Sequence, residues 1–400
     1  MKQRIGNIGR LNLMHATEES VKAIERVNNI GTVYYRKETA HLLPLLNAGN
    51  IGSCQEIPDG YHFTKGTLFV DADYLKSITE PLKLFATNDV VIDEEVTAEQ
   101  LKQSQLQLRV NGQVYTPAHL AGAAAGFISE GTTELKTYEG AQFRFEKGEF
   151  RLTNAFLKTA AKPIYLVAKG MVRFAPDLDM ELLKDKLYRL DVKGVLSLYE
   201  SQEPYFHQKA GSLIGSQIEV IPDGYQVIEQ TLRLNSRSIR RFRGGKLYTT
   251  APVLIDADVT REALSEALHS IHSHSIIVCH EDVEDLIYEC APLLETEVLS
   301  YQHSFIYIED EELWTNDQLK ALEQPAHFIV DGQLRFAEDV QPKIVETQIA
   351  ALDNLEEVIV PQTSLKGSLQ KVLRVNKGMI ETDGGNKKES NLNNLGELTL

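Results

Sequence analysis

Two stretches of this chain share one pattern, KLFATNDVVIDEEVTAEQL at residues 83–101 and KLYTTAPVLIDADVTREAL at residues 246–264. The offset between them is 163 residues throughout, and ten of the nineteen positions are identical. In each stretch a run rich in β-branched residues is followed by the start of an amphipathic helical pattern. The chain therefore contains an internal repeat, which decides how the rest of the sequence is interpreted.

Other segments recur at nearly the same offset. The matching pairs are EIPDGY at 56–61 and VIPDGY at 220–225, LTNAFLK at 152–158 and WTNDQLK at 314–320, and GMVRFAPDL at 170–178 and GQLRFAEDV at 332–340. GRLNL at 9–13 is a weaker version of the last unit. We therefore predict a first copy at 1–162, a second copy at 163–324, a partial third copy at 325–380, and a mobile polar tail at 381–400.

A shorter period of 21 to 24 residues runs inside the copies. It is marked by the glycines Gly9, Gly31, Gly52, Gly170, Gly194 and Gly215. Each glycine lies beside a short β-rich run, and many of these runs are followed by a short amphipathic helical pattern, as in DMELLKDKLYRL at 179–190. One such unit cannot bury its apolar face alone, whereas stacked units share a continuous core.

We therefore predict an α/β repeat solenoid, with a parallel sheet on one side and short helices on the other. In period and in strand–helix alternation the chain resembles the leucine-rich-repeat solenoids. It departs from them because the L-x-x-L-x-L-x-x-N pattern is missing and glycine marks the repeat instead. The alternative architecture is a pair of compact α/β domains of about 160 residues each.

Composition limits the class of function. The chain has 400 residues, of which 42% are hydrophobic and 24% charged, and its formal net charge is −16. Such a charge disfavours nucleic-acid binding, which needs a dense positive field. Three cysteines, no secretory signal pattern and no apolar run of membrane-spanning length predict a cytoplasmic protein without disulfides or membrane association.

Motifs for catalysis are missing. The sequence contains no phosphate-binding loop, no dinucleotide fingerprint, no nucleophile elbow and no H-E-x-x-H. HSIHSHSIIVCHED at 269–282 has the residue types of a zinc site, but Cys279 alternates with Ile277 as in a buried strand. The pairs Asp71/Asp73 and Asp256/Asp258 follow strands and are predicted to cap helices. We therefore predict no catalytic, cofactor or metal site.

One basic cluster stands out against the acidic composition. NSRSIRRFRGGK at 235–246 carries Arg237, Arg240, Arg241, Arg243 and Lys246, whereas the counterpart ADYLKSITEPLK at 72–83 has only two lysines beside its acids. The cluster is therefore specific to one copy. It is either a solvated loop that pairs with the acidic surface of its own chain, or a contact site for an acidic partner or another subunit.

Three hypotheses for function follow. The first is a non-catalytic scaffold that binds another protein. The second is a structural protein that self-associates end to end, because stacking surfaces repeat along the chain. The third is an enzyme with its site in the irregular segment 120–150 or in the His-rich stretch. The first hypothesis is preferred because catalytic motifs are missing and the basic cluster belongs to one copy only.

Overall fold

Short β-rich runs and short amphipathic runs alternate along the chain, and a computed structural model shows them as strands and helices. The structure describes residues 3–128, 134–213, 215–294, 296–382 and 392–400. The chain forms two compact units. Unit 1 comprises Met1–Val195, Tyr205–Ser216 and Lys387–Leu400, and unit 2 comprises Leu196–Pro204 and Gln217–Asn386.

The strands in chain order are β1 (Gln3–Asn12), β2 (Ile24–Tyr35), β3 (Ala48–Glu56), β4 (His62–Thr64), β5 (Leu68–Val70), β6 (Leu82–Ala86), β7 (Val90–Ile92), β8 (Leu106–Val110), β9 (Val114–Pro117), β10 (Leu135–Tyr138), β11 (Gln142–Leu152), β12 (Ile164–Phe174), β13 (Leu187–Tyr199), β14 (Gln217–Ile221), β15 (Gln226–Ile228), β16 (Leu232–Leu234), β17 (Gly245–Thr249), β18 (Val253–Ile255), β19 (Leu268–Ser273), β20 (Ile276–His280), β21 (Glu297–Tyr301), β22 (Phe305–Ile308), β23 (Glu311–Trp314), β24 (Ala326–Val330), β25 (Gln333–Phe336), β26 (Ile349–Asn354), β27 (Glu357–Val360), β28 (Leu373–Asn376), β29 (Met379–Thr382) and β30 (Leu392–Thr399).

The α-helices are α1 (Glu18–Lys22), α2 (Ala72–Ser77), α3 (Ala98–Gln103), α4 (Ala121–Phe127), α5 (Asn154–Lys158), α6 (Met180–Lys186), α7 (Glu203–Lys209), α8 (Arg261–Ala267), α9 (Glu284–Cys290), α10 (Asn316–Lys320), α11 (Pro342–Gln348) and α12 (Thr363–Val372). Short 3-10 helices cover Lys37–Leu45, Ala118–Leu120, Glu200–Gln202, Ser238–Arg241 and Glu281–Val283. None of the helices in the described part of the chain combines the length and the apolar character needed to cross a membrane.

The strands form parallel sheets, which confirms the predicted α/β class with parallel pairing. In unit 1 the strand orders are β30–β1–β2–β3, β4–β6–β8, β5–β7–β9–β10 and β11–β12–β13. In unit 2 they are β15–β17–β19, β16–β18–β20–β21, β22–β24–β26–β28 and β23–β25–β27–β29.

The prediction of one parallel sheet on one side is wrong, because several sheets of three or four strands are present. One reason is a tight turn between consecutive short strands. Strand β6 ends at Ala86, β7 begins at Val90, and the two belong to different sheets. The segment from β6 to α3 therefore adds one short strand to each of two sheets before its helix, whereas long strands such as β2 and β12 each lie in a single sheet. The leucine-rich repeats that the sequence resembles carry one strand per repeat.

Local sequence signals explain several of these elements. Thr97 and Thr260, which match in the two copies, cap α3 and α8 by accepting the backbone N–H groups three residues on. Asp71 caps α2 in the predicted way, by accepting the Tyr74 amide at 2.7 Å. Asp258 does not cap a helix, because it accepts hydrogen bonds from Ser236.

The two Pro-Asp-Gly-Tyr turns have the same geometry. Gly60 and Gly224 have φ values of 80° and 82°, which is the left-handed region that glycine tolerates. In one turn the Lys83 Nζ lies 5.9 Å from the Tyr61 ring centroid, and in the other the Lys246 Nζ lies 5.8 Å from the Tyr225 ring centroid. The repeated tyrosine therefore supports a lysine that is repeated with it.

The segment 381–400 was predicted to be a mobile tail, and 383–391 lie outside the described residues. Leu392–Thr399 forms β30, which pairs in parallel with β1. For these residues the structure corrects the prediction. The reason lies in Leu395 and Leu398, which pack on the buried cluster of β1 and β2 in unit 1, and in Asn394, which hydrogen-bonds to Asn7.

Candidate functional site

The basic cluster lies on an exposed loop in unit 2, here called the arginine loop (residues 235–246). Its shape is set by residues other than its arginines. The Asn235 Oδ1 accepts hydrogen bonds from the amides of Arg237 at 3.0 Å and Ser238 at 2.9 Å. Ile239 is completely buried and anchors the loop in the core of unit 2. The backbone conformation therefore does not depend on the cationic side chains.

All five predicted contact residues are exposed. In the described part of the chain, no carboxylate lies within 4.0 Å of the cationic groups of Arg240, Arg241 and Arg243. This contrasts with Arg233, whose Nε lies 2.9 Å from Asp256, and with Arg261, whose Nη1 lies 2.6 Å from Asp285. The geometry therefore does not support the hypothesis that these three arginines pair with the acidic surface of their own chain.

Arg237 and Lys246 have different surroundings from the other three. The pKa of Asp258 lies below its usual range, mainly because of a hydrogen bond from Ser236, and the positive charge of Arg237 adds to this effect. Lys246 lies over the Tyr225 ring. The three remaining arginines are therefore the groups with most freedom to meet a partner.

A surface groove of about 590 Å³ lies between the arginine loop and α8, and we call it the arginine groove. Its walls combine apolar and charged side chains: Arg240, Phe242, Arg243, Glu262, Ala263, Glu266 and Ala267. Apolar groups in the groove can bury a short side chain, while the arginines can form paired hydrogen bonds with a carboxylate.

The His-rich stretch is spread over a strand, a turn and a second strand. His272 lies in β19, and its pKa is lowered, first by burial and then by the nearby His274. Cys279 lies in β20 and is fully buried, as its alternation predicted, and burial raises the pKa of its thiol to about 12. Among the described residues no group of three or more His, Cys, Asp or Glu is arranged to hold a metal ion.

The irregular segment 120–150 contains α4, β10 and most of β11, while residues 129–133 lie outside the described part of the chain. Its strands join the parallel sheets of unit 1. The hypothesis of an enzyme with its site there stays a prediction.

Sequence reasoning missed a polar cavity of about 480 Å³ in unit 1. It collects residues from the turns after β6 and β8 and from strands β1, β12 and β13, including Arg10, Asn88, Asp89, Asn111, Gln113, Lys169, Asp191 and Lys193. The Asp89 carboxylate is almost fully buried and lies 2.6 Å from the Lys169 Nζ. This pair therefore neutralises one buried carboxylate of the cavity.

Asp191 is the second buried carboxylate of this cavity. Burial alone would raise its pKa, but hydrogen bonds from Arg189 at 2.8 Å, from the Ser212 amide at 2.8 Å and from Tyr165 at 2.7 Å outweigh burial and hold the pKa below its usual range. Burial, and then the same hydrogen bond with Asp191, raise the pKa of Tyr165. Asp191 is therefore ionised and fully engaged, which suits a structural role better than proton transfer.

Unit 2 contains a related cluster. The Asp353 carboxylate is completely buried, lies 2.8 Å from the His327 Nε2, and accepts hydrogen bonds from the Arg374 Nε at 3.0 Å and Nη2 at 2.5 Å. Burial opposes ionisation, but these partners outweigh it and lower the pKa of Asp353.

The clusters around Asp191 and Asp353 lie at corresponding positions of the sequence, although Arg189 corresponds to Ala351. Asp353 follows Asp191 by 162 residues, His327 follows Tyr165 by 162, and Arg374 follows Ser212 by 162. This is the offset of the matching GMVRFAPDL and GQLRFAEDV segments. The sequence contains a signal for these two clusters. At 191 and at 353 an Asp follows a Leu, and each Asp lies in a run that is otherwise typical of a buried strand. Alternation alone assigned no role to those aspartates.

Comparison of this chain with models of protein families, with curated proteins and with solved structures finds no match.

Proposed function

We propose that this chain is a non-catalytic protein-interaction scaffold of the cytoplasm, and that the arginine groove binds an acidic segment of a partner protein. The observation that carries the proposal is the state of Arg240, Arg241 and Arg243. They are exposed and unpaired with carboxylates among the described residues, although the chain has a net charge of −16. Arginine suits such a role because its planar group is weakly hydrated and binds carboxylates in a bidentate manner.

The scaffold that we propose is a stack of α/β repeats in each unit, derived from the tandem copies. Strand registers support it. Leu84 pairs with Leu108 between β6 and β8, and the residues 163 positions later, Leu247 and Ile271, pair between β17 and β19. Such stacks offer extended surfaces, which binding proteins use.

The proposal is tested with the triple variant Arg240→Gln, Arg241→Gln, Arg243→Gln. The probe is a fluorescein-labelled peptide of alternating Glu and Leu, and binding is measured by fluorescence anisotropy. Exposed ion pairs contribute about 0.2–1 kcal/mol each, so the triple change should weaken binding roughly three- to a hundredfold. The melting temperature should change by no more than about 6 °C, because each surface substitution changes stability by at most about 0.5 kcal/mol and the three together by about 1.5 kcal/mol.

Lys83→Gln serves as a matched control, because it removes a cation from the counterpart loop of the first copy and should leave peptide binding unchanged. Equal binding by the wild type and the triple variant would refute the assignment of the groove. Loss of folding in the triple variant would show that the arginines are structural. Nucleic-acid and membrane partners are not part of the proposal.

A second candidate function is end-to-end self-association. The observation that favours it is the pairing of β30 with β1, in which a segment distant in the sequence extends a repeated sheet.

A further inference from the structure

Four neighbouring strands of unit 1 repeat one short sequence. The strands are β30 with LNNLGELT, β1 with IGNIGRLN, β2 with VNNIGTVY and β3 with AGNIGSCQ. Asn394 pairs with Asn7, Asn7 with Asn29, and Asn29 with Asn50. Three of these strands follow one another along the chain, whereas Asn394 is 387 residues away from Asn7. A segment distant in the sequence therefore pairs with the edge of β1, and its sequence is similar to those of the neighbouring strands.

The asparagines form a hydrogen-bonded ladder across the strands. The Asn29 Nδ2 donates to the Asn7 Oδ1 at 2.7 Å, and the Asn7 Nδ2 donates to the Asn394 Oδ1 at 2.8 Å. Each rung fixes the register, because a slip by one residue would place the amide on the opposite face of the sheet.

A column of glycines runs beside the ladder. A Cβ atom at Gly31 would lie 2.5 Å from the Gly9 carbonyl oxygen, and one at Gly9 would lie 2.7 Å from the Gly396 carbonyl oxygen. Neighbouring strands therefore approach each other so closely at these positions that Gly9 and Gly31 have no room for a side chain.

Contacts outside the ladder add to this selectivity. Leu395 and Leu398 pack on the buried cluster that contains Ile8 and Leu11, and the Lys65 Nζ lies 2.7 Å from the Glu397 carboxylate. A strand with apolar residues, an asparagine, a glycine and an acid in this order fits the edge. Among the described residues, β30 has a partner strand on one side only.

We propose that the edge of β1 is a strand-acceptor site whose ligand is segment 392–399, and that a second copy of this chain supplies this segment in trans. The contacts of β30 with β1 are the same whether both strands belong to one chain or to two, so the balance depends on protein concentration. Edge strands open at lower free energy than central strands, which gives a route for exchange. The contact joins different surfaces of the two copies and therefore links chains in series. The inference deepens the self-association candidate and is independent of the arginine groove.

The test uses the full-length chain with Cys54→Ser and Cys290→Ser, which leaves only the buried Cys279. Two single variants, Asn7→Cys and Asn394→Cys, carry different affinity tags and are mixed at about 5 μM and at about 500 μM before mild oxidation. Neighbouring strands lie about 4.8 Å apart, which is within the Cα–Cα range of a disulfide. We expect a disulfide-linked dimer that carries both tags, with a yield that rises at least about tenfold between the two concentrations.

The double variant Asn7→Cys, Asn394→Cys should form a disulfide within one chain at the low concentration and a ladder of linked chains at the high one. Asn29→Cys mixed with Asn394→Cys is the negative control, because those positions are two strands apart. If the double variant closes within the chain but the mixed variants never link, donation by a second copy is refuted. If neither reacts, the acceptor site itself is refuted. Arg10→Cys with Glu397→Cys, another register pair, repeats the test should the asparagine variants fail to fold.

Discussion

Removal of either partner of the ion pair between Asp353 and Arg374 should lower the free energy of unfolding, and we predict that the two losses differ. Arg374→Met leaves Asp353 charged and completely buried, with only His327 close by. Removing one partner of a buried ion pair costs about 3–5 kcal/mol, because the remaining charge is uncompensated. Asp353→Asn instead leaves Arg374, whose side chain is 38% exposed and can be hydrated. The cost is then mainly that of the lost charge-assisted hydrogen bonds, about 1.5–3 kcal/mol.

The pH dependence of stability should follow the same logic. In the wild type the pKa of Asp353 is held below its ordinary value of 3.8, so its contribution is complete above that pH and is lost as the pH falls through the folded-state pKa. In Arg374→Met, burial acts with less opposition and the folded-state pKa of Asp353 rises. The protonated form then relieves the cost in acid, so the difference from the wild type should shrink between pH 7 and pH 4.5.

Urea unfolding monitored by Trp314 fluorescence measures these differences. Trp314 is the single tryptophan of the chain, and its ring centroid lies 4.9 Å from that of Phe328 in the same unit. Arg233→Met is a matched control, because its ion pair is partly exposed and should contribute no more than about 1 kcal/mol. Two results would refute the reasoning: an Asp353→Asn variant that is less stable than Arg374→Met at pH 7, or an equal gap at both pH values.

Two further predictions concern close packing and thiol exposure. Gly31→Ala should lower the free energy of unfolding by about 1–3 kcal/mol, because its Cβ would meet the Gly9 carbonyl oxygen. Gly122→Ala in α4 is the control, because the space around Gly122 is open and the change should be neutral or stabilising. Urea titration measures both variants, and equal effects would contradict the packing argument. In the native protein at pH 8, a disulfide reagent should label the exposed Cys54 quickly. Cys279 should react only on unfolding, because burial shields it and raises the pKa of its thiol to about 12. Mass spectrometry of labelled peptides measures the order of labelling, and the reverse order would contradict the prediction.

The sequence predicted elements with strong local signals. The cap at Asp71 depends on neighbours within a few residues, and alternation indicated the strand that contains Cys279. The number of sheets depends on how sharply the chain turns between β6 and β7. The periodicity of the sequence does not show the sharpness of that turn. Segment 392–399 was missed because its partner strand lies 387 residues away.

Only part of the candidate site could be predicted for a similar reason. The arginine loop was visible because an internal copy without arginines stood beside it for comparison. The buried aspartates were not, because a polar residue in a strand is ordinarily assigned to the exposed face. Asp191 and Asp353 lie instead at buried positions, where they are tolerated only because cations and hydrogen-bond donors surround them.

The internal repeat also separates structural charges from candidate binding charges. Two kinds of charged group keep a partner in both copies. Lys83 and Lys246 each lie over a tyrosine, and the carboxylates at 191 and 353 keep donors although Tyr165 is replaced by His327.

Arg240, Arg241 and Arg243 differ from these groups. They occur in one copy, and no carboxylate in the described part of the chain lies within 4.0 Å of them. Their loop is anchored by Ile239 and shaped by Asn235, neither of which is cationic. Charges that the fold neither requires nor neutralises are the ones expected to act on another molecule, and this distinction is why the triple Gln variant should lose binding while keeping its stability.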